Sequence, residues 1–369
     1  MTLPDPDKTR RTVGLWLFIA SVLICSLLLV LEFLLPPLFM PNPKESVIAM
    51  LVGGLLAFPA AIMYLTVPRL LDRYDPEPWY ALVGCLLWGG IVSSSIAGLV
   101  NSVAAGIGVA IGGPGAADVM SAVISAPITE EFLKCVGVWG VFYFLRREFD
   151  GVVDGIIYAT FVALGFATVE NVLYYAQAAQ QGQEVLTQTF VLRGVLSPWV
   201  HPVFTSMFGI GIGMTREARS AWVQWIAPLL GYGGAVFLHF VWNGSATFGG
   251  AILWVLLLPL WFVFVLAFLI MIVVLVRRRG RIIRENLLDE VALGTIDQQE
   301  LELVCSAFGL VKAHMRHGEA GADFVRATAR LALSKWHTAR AMETQQRTIS
   351  MEFIIPLRQH ISQLRAALE

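Results

Sequence analysis

Charged residues are scarce in this chain, because Asp, Glu, Lys and Arg together make up only 14% of its 369 residues. Soluble domains carry about 25%. Hydrophobic residues reach 57% and the mean hydropathy is +0.69, which excludes an ordinary water-soluble globular protein. The net charge of −1 gives no sign of a nucleic-acid partner, and we expect none.

The chain also lacks the usual sequence signatures of disulfide and soluble metal sites. It has four cysteines, of which Cys25, Cys85 and Cys135 lie in apolar runs and Cys305 lies in a polar tail. Without a Cys-x-x-Cys pair, neither a disulfide framework nor a cysteine zinc site is indicated. The zinc signature His-Glu-x-x-His is absent too, and no internal repeat is evident.

Long apolar runs are abundant, and each is long enough to cross a hydrocarbon core of about 30 Å. They predict an all-α, polytopic membrane helix bundle of about eight spans. The spans are placed at 13–36, 46–68, 79–100, 119–145, 152–177, 194–214, 221–246 and 249–276. This divides the chain into an N-terminal segment 1–12, a membrane domain 13–276 and a polar helical tail 277–369. The first span is too long for a cleavable signal peptide and lacks a small-residue cleavage site.

Basic residues flank the spans on alternate sides, which sets the orientation by the positive-inside rule. They lie before the first span and after the second, fourth, sixth and eighth: Lys8, Arg10, Arg11, Arg69, Arg73, Arg146, Arg147, Arg216, Arg219, Arg277, Arg278, Arg279, Arg281 and Arg284. The opposite loops carry only Lys44 and Arg193. Both termini are therefore predicted to be cytoplasmic. Among the outer loops, the glycine-rich segment 101–118 is expected to be flexible.

Ionisable residues inside the spans are the candidates for chemistry, because each costs at least about 3 kcal/mol at mid-bilayer. They are Glu130, Glu131 and Lys134 in the fourth span, Glu170 in the fifth, His201 in the sixth and His239 in the seventh. Counted at about 1.5 Å per residue, these groups fall at similar depth in the outer half of the bilayer. They are therefore predicted to form one site inside the bundle. Glu130 and Lys134 share a helix face, so a buried ion pair is one structural interpretation.

Two asparagines accompany these groups. Asn243 shares a helix face with His239, one turn away, and Asn171 directly follows Glu170. Taken singly, each polar residue also has a structural interpretation, as an ion pair or an interhelical hydrogen-bond partner. Function is indicated by the cluster rather than by any one member.

Several short motifs across the membrane region share their pattern with one family. The motifs are Asp75-Pro76-Glu77-Pro78-Trp79, Glu130-Glu131-x-x-Lys134, Asp154-Gly155-Ile156-Ile157-Tyr158-Ala159, Phe166-x-x-x-Glu170-Asn171, His201 and His239-x-x-x-Asn243. Together they resemble the PrsW family of intramembrane proteases over about residues 60–250. That family is related to the CAAX prenyl endopeptidases. From the latter pattern the chain departs at Lys134, one residue before the expected arginine, and at Glu170, which replaces a histidine.

The resemblance implies hydrolysis of a peptide bond of a membrane-anchored protein, in or beside a bacterial cell membrane. The substrate proposed for the family is a membrane-anchored anti-sigma factor. The implied catalytic residues are Glu130, Glu131, Glu170, His201, His239 and Asn243, with Lys134 and Asn171 as supporting residues.

Two mechanisms stay open for such a site. In the first, which is favoured, the two histidines and one or more of the three glutamates bind Zn²⁺, which activates water, and a remaining glutamate is the general base. The favoured ligand set is His201, His239 and Glu170. In the second, which needs no metal, Glu130 or Glu131 activates the water directly. His239 and Asn243, on one helix face, would then donate hydrogen bonds to the oxyanion.

Two other classes of protein also fit the residues. Glutamates and histidines on several helices describe a proton-coupled transporter, although neither an inverted repeat nor a pair of broken helices is evident. A scaffold whose polar cluster locks the bundle is the third possibility. The expected partners are a membrane-anchored protein substrate, the lipid bilayer and, for the tail, a regulatory partner or a second copy of the chain.

Overall fold

The computed structural model describes residues 6–71, 74, 76–218, 220–306, 308–343 and 349–368. These residues are helical almost throughout and contain no β-strand, which confirms the predicted all-α class. Seven continuous helical stretches of the described residues, some of which combine two or more of the helices named below, are long and apolar enough to cross a membrane, as expected of a polytopic bundle. Arg73, Asp75 and Arg219, which entered the sequence predictions, lie outside the described residues.

The chain divides into two compact units, of which the first comprises residues up to Pro68 and Glu77–Leu266. Its α-helices are α1 (Pro6–Leu29), α2 (Pro43–Leu71), α3 (Trp79–Leu87), α4 (Ser94–Gly112), α5 (Pro114–Asp118), α6 (Ala126–Phe144), α7 (Val152–Gln181), α8 (Gln183–Phe190), α9 (Val200–Glu217) and α10 (Ala221–Phe248). The next helix, α11 (Ala251–Glu285), begins in this unit and ends in the second, and the last residues of α2 also belong to the second unit. Four π-helical turns adjoin these helices, at Val30–Leu34, Trp88–Ser93, Val119–Ser125 and Val191–Leu196. Short 3₁₀ turns lie at Pro36–Phe39 and Arg146–Glu148.

The structure corrects the expectation of a loop over 101–118. Instead α4 continues to Gly112, and Gly113, with a φ of 78°, turns the chain directly into α5. A glycine in a helix costs only about 1 kcal/mol relative to alanine. In a bilayer, an unpaired backbone group costs several kcal/mol, so glycine-rich apolar segments stay helical.

Helix α7 is the central helix of the first unit, because nearly all its residues from Val152 to Thr168 are buried. It packs against α3, α9 and the π-helical turn Trp88–Ser93. The approach to α9 is closest where Gly155 faces Gly209, since a Cβ atom on either would overlap the backbone carbonyl of the other. This contact holds together the two helices that carry Glu170 and His201.

The second unit comprises Arg69–Pro76 and the residues from Ala267 onward. Beyond α11 it contains α12 (Leu288–Ala292), α13 (Gln298–Cys305), α14 (Gly309–Glu343) and α15 (Ile354–Leu368). Its core includes the fully buried Glu290, which is paired with Lys335 at 2.8 Å and with Arg358 at 2.6 Å. Helices α12 to α15 confirm the helical structure predicted for the tail.

Candidate functional site

Four helices of the first unit bring the candidate residues together. Glu130, Glu131 and Lys134 lie on α6, Glu170 and Asn171 on α7, His201 in the first turn of α9, and His239 and Asn243 on α10. The five ionisable candidates on α6, α9 and α10 are all buried, none being more than 8% exposed. The residues that the sequence singled out therefore form one polar cluster inside an apolar bundle.

Glu131 is the most constrained carboxylate of this cluster. Its Oε1 atom lies 2.6 Å from Lys134 Nζ and 3.0 Å from His239 Nδ1, and its Oε2 atom accepts a hydrogen bond from Thr205 at 2.9 Å. The ion pair considered between Glu130 and Lys134 is thus formed by Glu131 instead. Residues three positions apart share a helix face, as residues four apart do, and at this spacing the lysine side chain reaches toward α9.

His201 has a partner at each ring nitrogen. Nδ1 lies 3.2 Å from Lys134 Nζ, and Nε2 lies 2.8 Å from Glu170 Oε2. An ammonium group only donates, so Nδ1 accepts and the ring proton resides on Nε2, which donates to Glu170. The ring also packs edge-on against Phe166 of the Phe166-x-x-x-Glu170 motif.

Glu170 has a second partner that the motifs did not reveal. Arg193, in the π-helical turn before α9, donates from Nη2 to Glu170 and from Nε to Asn171 Oδ1 at 2.7 Å. The sequence signal was present, because Arg193 is one of two basic residues assigned to the outer loops. An isolated basic residue on that side is a candidate partner for a buried carboxylate.

His239 is held by Glu131 on one side and faces Asn243 on the other. Asn243 Nδ2 lies 3.2 Å from His239 Nε2 and donates to the carbonyl oxygen of Ala122 at 2.8 Å. Both amide hydrogens of Asn243 therefore have partners. For His239 the contacts are consistent with a proton on Nδ1, donated to Glu131, and an unprotonated Nε2.

Glu130 differs from the other two carboxylates. Its Oε1 atom accepts from Asn101 Nδ2 at 3.2 Å, and Asn101 in turn accepts from Ser125 at 2.7 Å. Its Oε2 atom is buried without a hydrogen-bond partner among the described residues and lies 3.9 Å from His239 Nε2. Sequence reasoning missed Asn101 and Ser125, because uncharged polar residues near span ends carry no strong signal.

Charge is unevenly distributed within the cluster. Glu131 is paired with Lys134 and Glu170 with Arg193, whereas Glu130 has no cationic partner at ion-pair distance among the described residues apart from a histidine. One ligand atom from each of Glu130, His201 and His239 lies within 4.8 Å of the other two. The group able to hold a metal ion thus contains Glu130 where the sequence favoured Glu170.

Comparison with known proteins gives one consistent result. The sequence pattern described as "PrsW family intramembrane metalloprotease" matches residues 77–275. The chain is 31% identical to Protease PrsW of Geobacillus kaustophilus over 179 residues, which is 47% of this chain and 70% of that protein. It is 30% identical over 129 residues to Protease PrsW of Oceanobacillus iheyensis, covering 33% of this chain and 54% of the relative. No solved structure has significant similarity to the chain.

Proposed function

Because the chain belongs to the PrsW family of intramembrane proteases, we propose that Glu130 is the central group of its peptidase site. One observation carries this proposal: Glu130 Oε2 is buried, lacks a hydrogen-bond partner among the described residues and points toward His239. Leaving a buried polar atom unpaired costs about 1–3 kcal/mol. Such a cost in the middle of a family motif is typical of an atom that is used in the reaction.

The donor set around Glu130 fits a zinc ion. Glu130, His201 and His239 would hold it, since carboxylate and imidazole are both zinc ligands. Each histidine also has a carboxylate on its other nitrogen, from Glu131 or Glu170, an arrangement that orients ligand histidines. To bind the ion, one ring nitrogen of His201 would have to give up the contact that it makes now. When bound, the ion supplies Lewis acidity that activates water and polarises the scissile carbonyl.

The side chains of the cluster take distinct parts in hydrolysis. Without a metal ion, Glu130 accepts a proton from the attacking water at its free oxygen, and the proton passes on to the leaving amine. As a zinc ligand it would use that oxygen to hold the ion instead. Glu131 and Glu170 hold the imidazoles of His239 and His201 in fixed tautomers. Because both of these carboxylates already have a cationic partner, Glu130 is the member of the three that is free to exchange a proton.

Hydrolysis without a metal ion places a further demand on the cluster. Glu130 would then activate the water alone, and the oxyanion would need donors from the surrounding side chains. Asn243 can act as such a donor only by leaving Ala122 or His239, since both of its amide hydrogens have partners. Both mechanisms therefore require Glu130, which would bind the ion in one and activate the attacking water in the other.

As substrate we propose a membrane-anchored protein, of which an anti-sigma factor is the bacterial candidate. Three of the four helices that carry the cluster, α7, α9 and α10, belong to helical stretches long and apolar enough to span a membrane, and large apolar side chains are exposed on the surface of the unit. A scissile bond therefore has to reach it from within or beside the bilayer. A proton-coupled transporter or a scaffold built on the same residues would release no cleavage product.

The test uses purified full-length protein, reconstituted in vesicles with a single-span model substrate. Glu130→Gln keeps the shape of the side chain but removes its charge, and we expect the cleavage rate to fall by about 10²- to 10⁴-fold. The matched control is Glu184→Gln, which neutralises an exposed glutamate of α8 and should leave the rate unchanged. Cleavage by Glu130→Gln at the wild-type rate would refute the proposal.

Metal analysis of the same samples separates the two mechanisms. If Glu130 is a zinc ligand, the purified protein contains about one zinc ion, chelation stops cleavage, and Glu130→Gln loses the metal. If Glu130 acts without a metal, chelation leaves the wild-type rate unchanged, and the variant is inactive with the same metal content as the wild type.

A further inference from the structure

We infer that Arg193 is a positioning residue of the peptidase site, which holds Glu170 and Asn171 in place and through Glu170 orients His201. The inference rests on the proposed function, because it assigns Arg193 a role in that reaction. None of the motifs shared with the family includes this residue.

The guanidinium of Arg193 makes three contacts within one turn of α7. It donates from Nη2 to the Glu170 carboxylate and from Nε to Asn171 Oδ1 at 2.7 Å. Its Cζ atom lies 3.8 Å from the centroid of the Tyr174 ring. Two hydrogen bonds and a stacking contact fix the plane of the group, which a lysine at this position could not reproduce.

The same Glu170 oxygen that faces Arg193 also accepts the Nε2 proton of His201. The contacts therefore form a chain from Arg193 through Glu170 to an imidazole that we place beside the reacting groups. Without the guanidinium, Glu170 would keep only the histidine as a partner among the described side chains that bind it. The carboxylate would then be free to rotate away from the ring.

The backbone around Arg193 is itself anchored. Gly194, the next residue, accepts a hydrogen bond at its carbonyl from the Tyr64 hydroxyl. The turn closes where Ser197 donates from its amide and hydroxyl to the carbonyl of Leu192, at 2.9 and 2.6 Å. Arg193 is therefore held in a π-helical turn whose backbone has few alternative conformations. Turns of this kind recur at functional sites.

This arrangement also explains a basic residue on the side of the membrane that is otherwise poor in them. As a loop residue, Arg193 would oppose the charge asymmetry that orients the chain. As the partner of Glu170 it is about one-fifth exposed and belongs to the site rather than to the loop.

The experiment measures the rate constant and KM for the model substrate with Arg193→Ala and Arg193→Lys. We expect kcat to fall by about 10- to 100-fold with KM nearly unchanged, and the lysine variant to recover only part of the loss. Arg216→Ala is the matched control, since Arg216 also stacks on a ring, that of Phe142, and donates to a carbonyl oxygen away from the cluster. It should cleave at the wild-type rate per folded molecule.

Two further readouts separate positioning from a general structural role. The double variant Glu170→Gln/Arg193→Ala should be no slower than Glu170→Gln alone, because both changes break the same chain of contacts. Added guanidinium ion should restore part of the activity of Arg193→Ala and none of that of Glu170→Gln.

Several results would overturn the inference. Wild-type turnover in Arg193→Ala, or fully additive losses in the double variant, would show that Glu170 does not depend on Arg193. If Arg193→Ala does not fold, wild-type turnover in a folded Arg193→Lys protein would reject the need for the planar group. If Glu130→Gln is inactive, the proposed function stands even when the inference about Arg193 fails. If Glu130→Gln cleaves normally, both proposals are rejected.

Discussion

Lys134 shows at the scale of one residue how the cluster is held together. Its ammonium group is fully buried, bonded to Glu131, close to His201 Nδ1 and 4.4 Å from the centroid of the Phe166 ring. A buried charge is tolerated only when it is paired. The lysine therefore stabilises the site electrostatically and also sets which nitrogen of His201 carries the proton.

Replacing Lys134 by methionine should destabilise the protein by about 3–5 kcal/mol, because Glu131 is left buried without its cation. Neutralising the partner as well, in Glu131→Gln/Lys134→Met, should restore most of the stability but none of the cleavage. Unfolding in detergent, followed as a function of denaturant, measures the first effect and the peptidase assay the second. Equal stability of Lys134→Met and the wild type would contradict this account of the ion pair.

At the scale of secondary structure, the contact between α7 and α9 decides whether the site can form. Glu170 and His201 are on different helices and yet lie 2.8 Å apart. The approach of Gly155 to Gly209 leaves no space for a side chain between the helix backbones. In a membrane, close packing of this kind is a main source of helix association, since lipid offers no hydrophobic penalty for separation.

We predict that Gly155→Ala forces the two helices apart and costs about 1–3 kcal/mol, the usual range for overpacking. The separation should also weaken the bond from His201 to Glu170, so cleavage per folded molecule falls as well. Gly140→Ala on α6 is the control, because a Cβ there meets nothing within 4 Å. That substitution should be neutral or stabilise by up to about 1 kcal/mol, since alanine favours helix over glycine. Thermal unfolding of the two variants in detergent gives the comparison, and equal losses in both would argue against the tight contact.

At the scale of the whole molecule, the distribution of basic residues gives a definite topology to test. We predict that a reporter active only outside the cytoplasm gives signal when inserted at Gly113 or Gly182, where the chain turns between helices. The same reporter should be silent after Arg147 and after Arg284. Signal after Arg284 would show that the tail lies outside the cytoplasm and that the peptidase site lies in the other half of the bilayer.

Hydropathy and charge were sufficient to identify the class of the protein, because the cost of placing a side chain in a bilayer is local and nearly additive along the chain. The same cost singled out the glutamates and histidines of the site from their positions in the sequence alone. The motifs then pointed to the family that the comparisons support. In the segment 101–118 the glycine content predicts a loop, but the need to satisfy backbone groups in an apolar environment keeps the chain helical as far as Gly112.

The partners within the site were decided by tertiary structure. A rise of about 1.5 Å per residue gives depth but not the rotation or tilt of a helix, and hydrogen bonds depend on shifts of less than about 1 Å. Only the packed helices therefore show that Lys134 pairs with Glu131, that Arg193 reaches Glu170, and that one oxygen of Glu130 has no hydrogen-bond partner among the described residues.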